Sequence, residues 1–156
     1  MNVVVSGHDR LVVKMSGKLD ESAMLEMVTV PPGDSIELDL VELKFINSLG
    51  IRQFRDWARS LRSPVLMLSY CPRMFVDQIN LIVDFLPPHA KVASFYVPYY
   101  NDDSGEEKAV LFTRGKEFAI VDGKPHITWP DVRDSKGNEM EVDIVGDRYF
   151  NFLKKH

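Results

Sequence analysis

Histidine, cysteine and serine are the side chains through which this sequence could do covalent or metal chemistry, and their spacing leaves only one of them well placed. The four histidines, His8, His89, His126 and His156, stand far apart with no ligand pair among them, so each reads as a packed or solvated imidazole. Cys71 is the only cysteine. It falls between a strand-like and a helix-like segment, where a helix N-terminus could lower a thiol pKa, but without a disulfide partner it is expected to pack as a small hydrophobe. There is no Gly-rich phosphate loop ending in Lys-Ser or Lys-Thr, no Gly-x-Ser-x-Gly, no His-Glu-x-x-His and no paired-glycine dinucleotide fingerprint. A chain that catalyses no reaction and carries no cofactor is the expectation. The hydroxyl of Ser48 is different, because Asn47 and Ser48 precede the strongest helical pattern in the chain. A serine there can cap the helix, worth about 1 kcal/mol. It can also accept a phosphate, adding about −1.5 to −2 charges where a helix dipole tolerates an anion.

The elements that would position Ser48 are legible from periodicity. Val3 to Ser6 and Leu11 to Ser16 are β-branched runs separated by the turn residues Gly7 to Arg10. Glu21 to Val28 reads as a short helix stopped by Pro31, Pro32 and Gly33. Ile36, Leu38 and Leu40 alternate with Glu37 and Asp39, a strand of period two. In the central helix Ile51, Phe54, Ala58 and Leu61 recur at three- and four-residue intervals, and Pro64 lies just beyond its end. Val65 to Ser69 reads as a buried strand, Pro72 to about Ile82 as a helix, and Ala93 to Val97 as a strand. Beyond Pro98 short strands at Lys108 to Thr113, Phe118 to Val121 and Met140 to Ile144 are separated by polar turns, with little helix.

Composition narrows the partners. The chain has 156 residues, 45% of them hydrophobic, enough to bury a core without disulfides or metal. Nineteen Lys and Arg against 23 Asp and Glu leave a net charge of −4, so no global basic field favours nucleic acid or an anionic membrane. No apolar run approaches the roughly 20 residues that span a bilayer. The opening MNVVVSGHDR lacks a basic run followed by a long apolar stretch, which points to the cytoplasm.

Three stretches in order carry a family pattern: Gly17, Lys18, Leu19 and Asp20; then Phe45, Ile46, Asn47, Ser48, Leu49 and Gly50 at the entry to a helix; then the strand and helix of Val65 to Ile82. Together they resemble the sulfate transporter and anti-sigma factor antagonist (STAS) domain, with its Gly-x-Leu-Asp turn and its Phe-x-Asp-Ser-x-Gly helix entry. The resemblance implies an α/β fold for residues 1–97, a small sheet flanked by helices, and a role in protein–protein regulation. In the antagonist branch the serine at the start of the central helix is phosphorylated by a kinase that is also an anti-sigma factor, and Ser48 stands at that position. Asn47 replaces the family's acidic residue, keeping the capping chemistry and losing a charge. The implied partner is an anti-sigma factor or a serine kinase of the histidine-kinase-like ATPase class, bound through Asn47, Ser48, Leu49, Gly50, Arg52 and Arg55. Arg52, Arg55, Arg59 and Arg62 form a stripe relieved only by Asp56, suited to carboxylate or phosphate partners. A homodimer is compatible with these features. The alternative is a constitutive STAS adaptor or scaffold subunit, for example of a transporter ATPase, in which Ser48 serves only as a cap.

Residues 98–156 resemble a zinc-ribbon extension that has lost its cysteines. The thiol positions correspond to Asn101 and Ser104, then Asp131 and Asp134, and oxygen ligands do not select zinc. Asp102, Asp103, Asp131 and Asp134 could attract calcium only if they converge, so no metal is expected and polar turns are the reading. The abundant aromatics, including Phe95, Phe112, Phe118, Trp129, Tyr149, Phe150 and Phe152, are expected to hold this β-rich module together.

Overall fold

In the computed structural model, which describes residues 1–156, the alternating apolar runs form a five-stranded mixed sheet. Its strands β1 (Asn2–Ser6), β2 (Arg10–Leu19), β3 (Ser35–Ile46), β4 (Val65–Ser69) and β5 (Ala90–Val92) lie in sequence order. β1 and β2 form an antiparallel hairpin, and every later pairing is parallel. Parallel neighbours need crossovers, and right-handed crossovers all stepping the same way put their connections on one face. Two of them are helices, α1 (Ser48–Ser60) and α2 (Arg73–Leu81). Leu11, Val13, Met15, Ile36, Leu38, Leu40, Leu66 and Leu68 are buried, whereas the alternate positions Val12, Lys14, Glu37, Asp39, Val65 and Met67 are exposed or half-buried. Under the helices, Phe54, Phe75 and Phe85 meet with ring centroids 5.2 to 5.3 Å apart.

Only Ala93 separates β5 from β6 (Ser94–Tyr100). There the chain leaves the first sheet and pairs antiparallel with β7 (Glu107–Thr113), and β10 (Glu141–Val142) adds to the other side of β6. β8 (Phe118–Val121) and β9 (Lys124–Ile127) make a separate hairpin. The expected strand at Ala93 to Val97 lies in β6, starting one residue later and running on to Tyr100, so the division read after residue 97 falls inside β6. The two parts share one core, running from Leu11 to Leu153. Phe95 is its hinge, with five aromatic rings around it: Phe112, Phe118, Tyr149, Phe150 and Phe152.

The tail also closes back on the first sheet, using more helix than the sequence predicts. A short α3 (Gly146–Tyr149) and a 3₁₀ turn (Asn151–Lys154) pack on α2, where Asn80 Nδ2 donates to the Tyr149 carbonyl at 2.9 Å. Tyr149 Oη donates to the Tyr96 carbonyl at 2.5 Å, and the Val92 N–H donates to the His156 carbonyl at 2.8 Å. Arg114 donates to the carbonyls of both Val92 and His156.

Three other expectations are corrected by tertiary pairing. The β3 strand runs six residues past Leu40 to Ile46, because the far half of β2 supplies a parallel partner there, from Ser16 opposite Glu42 to Leu19 opposite Ile46. The strand expected at Met140 to Ile144 is only Glu141–Val142, the two residues facing Tyr100 and Tyr99. β9 is additional; its Pro125 weakens the local signal but is tolerated in an edge position. No helix is long and apolar enough to cross a membrane.

Candidate functional site

The start of α1 is built by backbone contact with the end of β2. The Asn47 N–H donates to the Leu19 carbonyl at 3.1 Å, which draws the helix entry onto the β2 terminus. Gly50 then lies so close that a Cβ there would sit 1.8 Å from the Leu19 carbonyl oxygen and 2.9 Å from the Asp20 nitrogen. Only a residue without a side chain allows this approach. Asn47 is the cap: its Oδ1 accepts from the Leu49 N–H at 3.1 Å and the Gly50 N–H at 2.9 Å, and its Nδ2 donates to Glu21 Oε2 at 2.9 Å. That bond from Asn47 holds the Glu21 carboxyl below its ordinary range.

One face of α1 also explains why Glu21 to Val28 does not form the expected helix. Gln53 Oε1 accepts from the Leu25 N–H, its Nε2 donates to the Asp20 carbonyl, and Trp57 Nε1 donates to the Val28 carbonyl, all at 3.1 Å. The Leu25 N–H that a helix would bond internally is bonded to α1 instead, as are the carbonyls at the two ends of the segment, leaving a single 3₁₀ turn at Leu25–Met27 entered through Met24 at φ 54°. Asn47, Gly50, Gln53 and Trp57 are spaced three, three and four residues apart, the spacing of one helical face. Glu21, Gln53 and Trp57 are the site-building residues that the sequence reading passed over. A glutamine on the face of a capping asparagine and a tryptophan was the available signal.

Ser48 is the first residue of α1, one position beyond the cap, and its exposed hydroxyl bonds to no protein group. The reading of Ser48 as the cap is thus replaced by Asn47. Leu49, next to it in the chain, and Phe45, three residues before it at the end of β3, are 47% and 45% exposed. Arg52, one turn on and on the same side as Ser48, is exposed and forms no ion pair. The other expected contact residues divide by environment. Gly50 is buried and serves the internal packing, and half-buried Arg55 sits 3.8 Å from Asp56. Arg59 donates to the carbonyls of Asp84 and Arg55, so the arginine stripe is reduced to Arg52 and Arg62 as free cations.

This division predicts that Asn47→Ala costs about 1–2 kcal/mol, whereas Ser48→Ala changes the thermal midpoint little. In Asn47→Ala the Glu21 carboxyl should titrate closer to its ordinary value by NMR. Because folding lowers that pKa, the Glu21 contact is intact above the ordinary glutamate range and weakens as pH falls through the lower folded value.

The other chemistry-bearing residues are occupied or inert. Burial pushes the Cys71 thiol up, far from a reactive thiolate. His8, His89 and His126 are exposed, and His156 Nδ1 lies 2.7 Å from the Ala90 carbonyl. In the tail, Asn101 Oδ1 accepts from the N–H groups of Asp103 and Ser104, and Ser104 Oγ donates to Asp134 Oδ2 at 3.0 Å. The Asp134 Oδ1 accepts from the Lys136 and Asn138 N–H groups. The turn facing Asn101–Ser104 therefore begins at Asp134 instead of ending there, and Asp131 stays outside it, paired with Arg133 at 3.1 Å. Burial alone would raise the Asp134 carboxyl, but the bonds from Asn138, Ser104 and Lys136 bring it below its ordinary range. No three His, Cys, Asp or Glu side chains converge as a metal site would require, so the calcium-binding convergence of Asp102, Asp103, Asp131 and Asp134 does not occur. The sequence matches no protein-family model, and no curated protein matches it significantly.

Proposed function

We propose that this chain is a STAS-like regulatory module of the bacterial cytoplasm that catalyses no reaction. It docks on an anti-sigma factor or a serine kinase of the histidine-kinase-like ATPase class through the entry to α1, and phosphorylation of Ser48 releases it. The observation that carries the reading is an exposed serine hydroxyl with no bonding partner in the protein, at a helix entry whose cap is supplied by the neighbouring Asn47. A hydroxyl that stabilises nothing in the fold is free to be modified. Exposed Leu49 and Phe45 offer apolar contact to a partner, and Arg52 offers it a cation.

The same geometry accounts for a switch that spares the fold. The Leu49 and Gly50 N–H groups are already taken by Asn47, so a phosphate on Ser48 would turn outward toward Arg52 while the helix dipole favours its charge. The core beneath would be untouched, because Ser48 contributes nothing to it. A partner surface covering Leu49 would meet a dianion in a desolvated contact. The test is affinity capture from native lysate with wild-type, Ser48→Ala and Ser48→Asp baits, combined with phosphosite mass spectrometry. Ser48→Asp should lose its specific partner at least about tenfold, roughly 1.4 kcal/mol, with a thermal midpoint close to wild type. Equal capture by Ser48→Asp and wild type would refute the switch.

A further inference from the structure

We infer that two copies of this chain associate through their β1 strands, joining two five-stranded sheets into one continuous antiparallel seam. β1 is an outer strand of the larger sheet and reads Asn-Val-Val-Val-Ser, with neither a charge nor a proline. Outer strands are normally protected by such residues, and the other outer strands of the two larger sheets carry them. β5 has Lys91, β7 has Glu107 and Lys108, and β10 has Glu141. β5 is additionally closed by the His156 carbonyl on the Val92 N–H. Among the outer strands of the two larger sheets, β1 alone presents a neutral, valine-rich edge.

The occupant that this edge fits is itself. Antiparallel pairing about a two-fold axis through Val4 places Val4 opposite Val4, Val3 opposite Val5, and Asn2 opposite Ser6. Every pair matches apolar with apolar or polar with polar. Opposed residues also share the same parity along the strand, so their backbone hydrogen bonds are in phase and their side chains fall on matching faces of the sheet. Val4 is 53% exposed and Val12, near it on the open face, is 37% exposed, and both would lose solvent contact. An isologous interface of this kind closes as a dimer and leaves no further edge of the same type. It also leaves the proposed switch site clear: β1 starts opposite Ser16, at the Asn2–Ser16 pair, whereas α1 packs on Leu19 and Asp20 further along the chain. The dimer would display two Ser48 hydroxyls at once.

The experiment is light scattering coupled to size exclusion on the full chain across a wide concentration range. Wild type should rise from the 17.9 kDa chain mass to twice that value with increasing concentration. Val4→Lys and Val4→Glu should each remain at the chain mass with unchanged circular dichroism, because like charges would face each other across the axis. Their equimolar mixture should recover the doubled mass, since opposite charges then meet. Hydrogen exchange on wild type provides a reading independent of any variant, with protection of those β1 amides that face away from β2, every second residue of the strand, increasing with concentration. A wild type that stays at the chain mass, a dimer unaffected by Val4→Lys, or β1 exchange independent of concentration would each overturn the proposal.

Discussion

Replacing Gly50 with alanine is expected to destabilise the chain by about 3 kcal/mol or more, because the added methyl has no space without a movement of backbone. Its nearest neighbours would be the Leu19 carbonyl oxygen at 1.8 Å and the carbonyl carbon at 2.3 Å, and no side-chain rotation relieves a clash with main chain. Either α1 lifts from the β2 terminus or that terminus shifts. Both breaks disturb the Asn47 N–H bond to Leu19 and the bonds from Gln53 that hold the 20–25 loop. For a chain of this size the thermal midpoint should fall by roughly 6–12 °C. Gly146→Ala is the matching control. At Gly146 a Cβ would have no atom within 4 Å, and φ is not positive, so alanine there should leave the midpoint unchanged or raise stability by up to about 1 kcal/mol. Equal, small effects at both glycines would show that α1 does not rest on β2 as described.

A comparably large effect is expected from Phe95→Ala, and it probes whether the tail is an appendage or part of the main core. Phe95 is fully buried, on the strand separated from the first sheet by Ala93 alone. Its ring lies 5.1 Å from Phe152 and 5.2 Å from Phe118, so it bridges β8 and the returning C-terminal segment. Removing a buried phenylalanine costs about 3–5 kcal/mol, which corresponds here to a midpoint lower by about 6–20 °C. The two tryptophans make the result readable in both parts, since Trp57 lies on α1 and Trp129 packs against Phe112 and Phe150. Followed in single-tryptophan backgrounds, both reporters should move together to the same lowered midpoint. An unchanged Trp57 transition beside a lowered Trp129 transition would mean two independently folding units.

Local chemistry made part of this molecule readable in advance. Alternation at Ile36, Leu38 and Leu40 and the three- and four-residue spacing of Phe54, Ala58 and Leu61 arise from the pleat of a strand and the turn of a helix, and each is a property of neighbouring residues. The helix formed where it was expected, and the strand formed there and ran on to Ile46. The position of Ser48 at a helix start was legible for the same reason. Its role relative to Asn47 was not, because both residue types can cap. The choice was made by Leu19, whose carbonyl fixes the Asn47 backbone, and by Glu21, which braces the Asn47 side chain.

From its residues alone, the chain determined the place of Ser48 at a helix entry, its mixed α/β composition, its lack of thiol pairs and the alternation that buries one face of each strand. Tertiary structure decided which sheet each β run joins. Residues 90 to 100 carry no turn signal at Ala93 in the sequence, and the Val92 and Ala93 bonds to His156 and Leu68, followed by the pairing of β6 with β7, divide them there. It also decided that residues 20 to 28 would pack on α1 without coiling, and that the tail would share the core of the first sheet. The physical reason is common to all three: a backbone N–H or carbonyl must be satisfied when buried, but many partners can satisfy it. Local sequence states that the requirement exists, and the folded chain chooses the partner.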